Sequence, residues 1–209
     1  MNTNLSSKDI LELAISKHKT QDLSGAEKLY QEVLNKDDNN FNANFLLGTL
    51  FASTKRFELA LTKLEKAKAT NPNDADTYNN LANVYKELNN TTFAKKNYNL
   101  AIKINPKHIN AIDNLGIIFL KENELILAEA NFKKAISINP NFINAHYNLG
   151  LAYVKFGKLL KAKESYLRVI QINPNFVIAL PALANISKIL EKTNDAIYYY
   201  KKGAQLQPN

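Results

Sequence analysis

The chain has 209 residues, and its 45% hydrophobic and 22% charged residues lie in the range of globular rather than disordered proteins. It contains no cysteine and three histidines, which excludes disulfides and cysteine nucleophiles and argues against a protein-built metal site. The formal net charge is +8, but only two of the 27 basic residues are arginine, the side chain that reads phosphates and guanine edges with a bidentate fork.

We interpret this positive charge as a feature of composition and solubility, since lysine, asparagine and isoleucine are all abundant, as in proteins of AT-rich genomes. The alternative is a surface for an acidic partner. The first eight residues lack an apolar signal core, and the longest apolar run, 115–120, is too short to cross a bilayer. The sequence therefore predicts no membrane insertion and a cytoplasmic location.

Five of the six prolines recur at an interval of 34 residues: Pro72, Pro106, Pro140, Pro174 and Pro208. A fixed period of this length indicates a repeat architecture. Counting back a further 34 residues gives Asp38, so the frame contains six units after a polar N-terminal extension, residues 1–6. The predicted units are 7–40, 41–74, 75–108, 109–142, 143–176 and 177–209.

Each unit contains two stretches with apolar residues at helical spacing, separated by a break near its fifteenth residue. Proline at position 32, counted from the first residue of the unit, ends the second stretch because proline cannot continue a helix. Position 7 is leucine in all six units, position 8 is alanine or glycine, and position 20 is alanine. Position 24 is bulky: Tyr30, Leu64, Tyr98, Phe132, Tyr166 and Tyr200. Small residues beside bulky ones let two helices approach closely, which predicts six helix pairs.

The sixth unit departs from this pattern at Pro181, near the start of its first helix. Proline is tolerated in a first turn and distorts a helix at deeper positions. The apolar side of the last helix pair is expected to be open to water, at Ile197, Tyr200, Gly203 and Ala204. An exposed apolar face of this kind predicts docking of a second copy of the chain, or of a further domain.

The recurring leucine, small residue, aromatic, alanine and proline at fixed offsets resemble the tetratricopeptide repeat family over essentially the whole chain after Ser6. The resemblance implies an all-α, right-handed superhelical solenoid of six helix-turn-helix repeats, forming one domain over 7–209. It also implies that the first helices line a concave groove with positions 2, 5, 6, 9, 12 and 13 of each repeat.

Position 6 is asparagine in three consecutive repeats, at Asn80, Asn114 and Asn148. Asparagine offers both a donor and an acceptor without charge, so such a row can bind the backbone of an extended peptide. This row is similar to the asparagine ladder in the repeat arrays of O-GlcNAc transferases. The alternative is that asparagine is common at this position in the family and is raised here by composition.

The same face carries further candidate peptide-binding residues, which would tune the preference of the groove. Three of them are lysines, which predict either attraction of an acidic segment or only a solvated rim. The flanking candidates are Asp76, Asn83, Lys86, Asn110, Lys121, Asn144, Tyr147 and Lys155.

Several other functions are disfavoured by the residues. The carboxylate clamp of chaperone-binding family members needs a lysine at position 5, which no unit supplies. Nucleic-acid binding is disfavoured because most lysines fall on the second helices and only Phe45 and Tyr147 could stack bases in the groove. No catalytic triad, cofactor motif or metal-ligand spacing is present in the sequence.

The sequence thus predicts a non-enzymatic protein–protein interaction scaffold that needs no cofactor and whose partner is a protein or peptide. The alternative is the substrate-recognition array of a larger glycosyltransferase or sulfotransferase whose catalytic domain lies outside these residues.

Overall fold

A computed structural model describes residues 5–206, which contain twelve α-helices and no strand. Most of the predicted extension 1–6, together with Pro208, lies outside the described residues. The helices are α1 (Ser7–Lys19), α2 (Leu23–Lys36), α3 (Phe41–Ser53), α4 (Phe57–Thr70), α5 (Ala75–Glu87), α6 (Thr91–Ile104), α7 (Ile109–Lys121), α8 (Leu125–Ile138), α9 (Ile143–Lys155), α10 (Leu159–Ile172), α11 (Ala179–Ile189) and α12 (Thr193–Leu206).

Each predicted repeat is one antiparallel helix pair, from α1 with α2 to α11 with α12. Residue contacts divide the chain into two units, one ending at Pro106 and the other beginning at Lys107. In the first unit α2 packs on α3 and α4 on α5, and in the second α8 packs on α9 and α10 on α11. Within each unit the second helix of one pair therefore contacts the first helix of the next.

The turn inside every pair has its fifteenth residue in the left-handed backbone conformation, with φ between 57° and 71°. The following N–H then reaches back five residues, as when Arg56 N donates to Phe51 O (2.8 Å) and Lys158 N to Tyr153 O (2.9 Å). This geometry is a helix-ending motif that satisfies a terminal carbonyl. It confirms the break predicted at position 15. The six residues are Gln21, Lys55, Asn89, Asn123, Gly157 and Glu191.

Five of the six second helices end one residue before an asparagine or aspartate at position 31, and in four of them this residue has an extended backbone. In four of these repeats proline follows directly, and a residue before proline avoids the helical conformation. The first turns of several helices are closed by capping side chains. At α1, for example, Ser6 and Asp9 cap each other's backbone N–H reciprocally.

The core of each pair is built as the pattern predicts, from buried alanines at position 20 and bulky residues at position 24. Tyr30, Leu64, Tyr98, Phe132 and Tyr166 are all fully buried. Tyr200 is 47% exposed, consistent with the expectation of an open apolar side on the last pair. In the first unit Leu13 also departs from its repeat position, since it is 42% exposed whereas Leu47 and Leu81 are fully buried.

Pro181 shortens the first helix of the sixth pair. α11 begins at Ala179, two positions later in its repeat than the other first helices, and has 11 residues where they have 13. Pro181 is thereby its third residue, where a missing N–H breaks no helical hydrogen bond. The proline therefore sets where the helix begins and leaves its later turns regular.

Gly116 and Gly150 at position 8 mark the closest approach within their helix pairs. A Cβ on Gly150 would lie 2.6 Å from Cε1 of Tyr166, and one on Gly116 would lie 2.7 Å from Cε1 of Phe132. Both rings are fully buried and have no space into which to move. In these two pairs glycine is therefore required by the position of the ring.

Gly150→Ala is expected to lower the free energy of unfolding by roughly 1–3 kcal/mol, because the new methyl group overlaps a buried ring. Gly203→Ala is the matched control, since its Cβ would lie 3.8 Å from Leu180 in ordinary contact. That change should leave stability unchanged or raise it by up to about 1 kcal/mol through helix propensity. Urea unfolding of both variants checks this, and equal effects would contradict the packing argument.

Candidate functional site

In the first unit a row of polar side chains connects neighbouring first helices. Asn80 Nδ2 on α5 donates to Thr49 Oγ1 on α3 at 3.3 Å, and Thr49 in turn donates to the carbonyl of Phe45 at 2.9 Å. Asn79 Nδ2 donates to Asn80 Oδ1 at 3.3 Å. Asn80 is half-buried, so its amide is oriented by the protein and still reaches the surface.

In the second unit Asn148 makes the equivalent connection with a different partner. Its Nδ2 on α9 lies 3.2 Å from each carboxylate oxygen of Asp113 on α7. An ionised carboxylate can only accept, which fixes the NH₂ group of Asn148 toward Asp113 and turns its amide oxygen away. Asn148 is 9% exposed and Asp113 4% exposed. Asn148 is therefore less accessible than the row at position 6 predicts.

Burial changes the acidity of Asp113. Loss of hydration disfavours the charged carboxylate and raises the pKa of Asp113 from 3.8 to about 6, while the hydrogen bond from Asn148 acts in the opposite direction. The carboxyl group is thus near its titration range at mildly acidic pH.

The remaining predicted residues lie at the two ends of the first helices. Asp76, Asn110 and Asn144 are exposed in the first turns of α5, α7 and α9. Lys86, Lys121 and Lys155 lie in the last turns of the same helices. The Nζ of Lys155 donates to the carbonyl of Leu120 at 3.1 Å, and that of Lys86 is 3.8 Å from Glu87.

Two of the predicted residues also contact the core. Asn83 Oδ1 accepts a hydrogen bond of 2.6 Å from the hydroxyl of Tyr98, which is fully buried. The ring centroid of Tyr147 lies 5.6 Å from those of both Tyr166 and Phe176. Substitution of either residue would therefore alter packing as well as any ligand contact. Asn114 is half-buried on α7.

Sequence reasoning missed Thr49 and Asp113 as partners of the asparagines. The usable signal is spacing, because position 6 of one repeat meets position 5 or 9 of the repeat before it. Asn80 follows Thr49 by 31 residues and Asn148 follows Asp113 by 35. The side chain at position 9 of the fourth repeat, Ile117, has no polar atom. Asn148 therefore donates to Asp113, at position 5, instead.

Comparison with protein-family models matches this chain to tetratricopeptide repeats. One model, described as TPR repeat, matches residues 48–89 and 118–157. A second, described as Tetratricopeptide repeat, matches 75–108 and 143–176, which are the predicted third and fifth units. Together the matches cover more than half of the chain. The chain belongs to the tetratricopeptide repeat family. Its all-α helical-repeat fold is the one that the resemblance implied.

Solved structures of other tetratricopeptide repeat proteins are similar to this chain, whereas no curated protein matches it. PilW, a type IV pilus biogenesis factor, is 23% identical over 100% of this chain and 94% of its own, with a TM-score of 0.85. MamA is 25% identical over 77% and 94%, with a TM-score of 0.70. YrrB, described as a TPR protein with an unusual peptide-binding site, is 22% identical over 85% and 91%, with a TM-score of 0.68. These likenesses establish the fold.

Neither a membrane-spanning helix nor a metal-binding cluster is found among residues 5–206, which the structure describes. None of the helices there combines the length and the apolar character that crossing a bilayer requires. The same residues contain no group of three or more histidines and carboxylates placed to hold a metal ion.

The raised pKa of Asp113 predicts how the free energy of unfolding depends on pH. The folded chain keeps this proton up to about pH 6 and the unfolded chain releases it near pH 3.8, so the free energy of unfolding should fall as pH rises through that window. Asp113→Asn removes the titrating group and keeps a hydrogen-bonding side chain.

Between pH 4.5 and pH 7, the native chain should lose roughly 2 kcal/mol more stability than Asp113→Asn. Urea unfolding at the two pH values measures this, and all other titrating groups cancel because the two proteins share them. If the free energy of unfolding depended on pH identically in both proteins, the pKa of Asp113 would not be raised in the folded chain.

Proposed function

We propose that this tetratricopeptide repeat protein is a non-catalytic interaction scaffold whose ligand is an extended segment of a protein. Membership of a family of helical-repeat proteins supports the proposal, as does the fold likeness to YrrB, described as having a peptide-binding site. The ligand would lie along the first helices, where polar side chains recur once per repeat.

The observation that carries this proposal is the lateral anchoring of the asparagine amides. Asn80 uses one N–H on Thr49 and one lone pair on Asn79, so half of its four hydrogen-bonding positions remain for a ligand. Asn148 uses its NH₂ group on Asp113, and its oxygen accepts no hydrogen bond from residues 5–206. An anchored amide loses little conformational entropy on binding, which favours recognition of a peptide backbone.

The residues at the ends of the first helices would set the preference of the ligand. In the first unit, α5 carries Asp76 in its first turn and Lys86 in its last. In the second unit, α7 and α9 carry Asn110 and Asn144 in their first turns and Lys121 and Lys155 in their last. A ligand with acidic side chains toward the lysines is favoured. Exposed lysines would act on the association rate more than on final affinity.

The alternative of a substrate-recognition array within a larger transferase rests on the resemblance alone and stays a prediction. So do the cytoplasmic location, the absence of a nucleic-acid partner and the docking of a second copy or further domain at Ile197, Tyr200, Gly203 and Ala204.

The test is selection of peptides on the native chain from a random display library, followed by affinity measurement with an Asn80→Ala/Asn114→Ala double variant. Loss of hydrogen bonds to a peptide backbone at two asparagines should weaken binding by at least about tenfold. Asn148 is kept because alanine there would leave the buried carboxylate of Asp113 without its donor.

An Asn35→Ala/Asn99→Ala variant is the matched control, since both asparagines are exposed on second helices, α2 and α6. Its affinity should equal that of the native chain, and circular dichroism should show equal helicity in all three proteins. Peptides that bind the Asn80/Asn114 variant as tightly as the native chain would refute the asparagine mechanism.

A further inference from the structure

Two aliphatic residues of the second unit protrude at the same place in consecutive repeats. Ile126 and Leu160 are each the second residue of a second helix, α8 and α10, and are 76% and 63% exposed. At this repeat position the other four units carry polar residues, Ser24, Glu58, Thr92 and Asn194. The fold therefore does not require an apolar residue at this repeat position, and the side chains of Ile126 and Leu160 contribute little to the core.

A shallow, open cavity lies beside Ile126. It has a volume of about 530 Å³ and is lined by residues 123–127 of the α7–α8 turn and by Phe156 of the α9–α10 turn. Four of the six lining residues are apolar, and Leu127 is 43% exposed. We call Ile126, Leu127, Phe156 and Leu160 the turn edge. An apolar recess of this size accepts a bulky aliphatic or aromatic side chain.

Lysines surround the turn edge. Lys158 Nζ lies 4.0 Å from the ring centroid of Phe156, and the Nζ atoms of Lys158 and Lys161 both lie 5.9 Å from that of Tyr153. The segments 121–127 and 155–161 together hold four lysines and two glutamates, Glu122 and Glu124. The surface therefore carries a net positive charge next to its apolar recess.

The neighbouring carboxylate Glu129 does not reverse this charge. Its Oε1 is 2.6 Å from Lys133 Nζ, its Oε2 is 3.7 Å from Lys158 Nζ, and Oε1 also accepts from the hydroxyl of Tyr153 at 3.0 Å. Lys155 donates to the carbonyl of Leu120 rather than to a carboxylate. The lysines that contact the rings of Phe156 and Tyr153, Lys158 and Lys161, lie on the α10 side of the recess.

We propose that the turn edge is a second interaction surface, which docks an acidic amphipathic segment of a partner protein. A bulky apolar side chain of that segment fills the recess between Ile126 and Phe156, and its carboxylates lie beside Lys158 and Lys161. Charge complementarity selects the acidic partner. The apolar residues of the turn edge lie in the α9–α10 turn and on the second helices rather than along the face that carries the asparagines. Lys121 and Lys155 are shared with the proposed groove.

A protein segment fits this surface better than an anionic bilayer does. A bilayer meets protruding apolar side chains and leaves a recess unfilled, whereas a protein side chain can enter it. The bilayer is therefore kept as an outcome of the test.

The test uses the Asn80→Ala/Asn114→Ala protein as bait for the random peptide library, so that failure of the groove proposal does not affect it. Selected peptides should combine one bulky apolar residue with several aspartates or glutamates. Adding Ile126→Ser and Leu160→Ser to the bait should weaken their binding by at least about tenfold, and adding Lys161→Glu by about fivefold. Both serine substitutions lie at exposed sites and should leave the unfolding temperature unchanged.

Leu59→Ser and Lys134→Glu are the matched controls, since Leu59 is 49% exposed in the first unit and Lys134 is exposed on α8. Neither should change binding. Peptides that are not acidic, or that bind equally after the Ile126/Leu160 change, would overturn the proposal. So would the absence of any selected peptide, or Ile126-dependent binding of vesicles containing equal amounts of phosphatidylcholine and phosphatidylserine.

Discussion

The close approach of two helices within each pair is the constraint on which the rest of the structure depends. The helices approach most closely where Gly150 leaves room for the ring of Tyr166 and Gly116 leaves room for the ring of Phe132. A small residue on the first helix and a bulky one on the second fix the rotation of both helices about their axes. Within each unit the same rotation recurs every 34 residues, so corresponding side chains of successive first helices have equivalent orientations.

The core and the candidate site are coupled through a few side chains. Tyr98 belongs to the core and donates to Asn83, while Tyr147 of the candidate site packs against Tyr166 of the core. Between first helices, Thr49 orients Asn80 and Asp113 orients Asn148. These contacts hold the amides in place before any ligand binds. They also explain why variants on this face need separate measurements of stability and affinity, since the change Asn148→Ala would leave a buried carboxylate unpaired.

The repeat frame could be read from the sequence because proline, alanine and leucine recur with one period. The period also predicts the turns, although only Gly157, Asn89 and Asn123 among the six left-handed residues are of types that favour this conformation. The partners of the asparagines could not be read in this way. Asp113 and Asn148 are 35 residues apart, one period plus one, and their contact depends on how neighbouring pairs pack. The exposure of Leu13 could not be predicted for a similar reason. Leucine at this position fits the repeat pattern, but α1 is the first helix of its unit and has no preceding helix pair described beside it.

The central claim is that the asparagine amides of the first helices contact the ligand. Side-chain amide resonances in ¹H–¹⁵N NMR spectra report on it directly, during titration of the labelled chain with a selected peptide. Our account predicts shifts of the Asn80, Asn114 and Asn148 amides, with those of Asn35 and Asn99 on second helices unchanged. Shifts confined to the second helices, with the three first-helix asparagines unmoved, would contradict it.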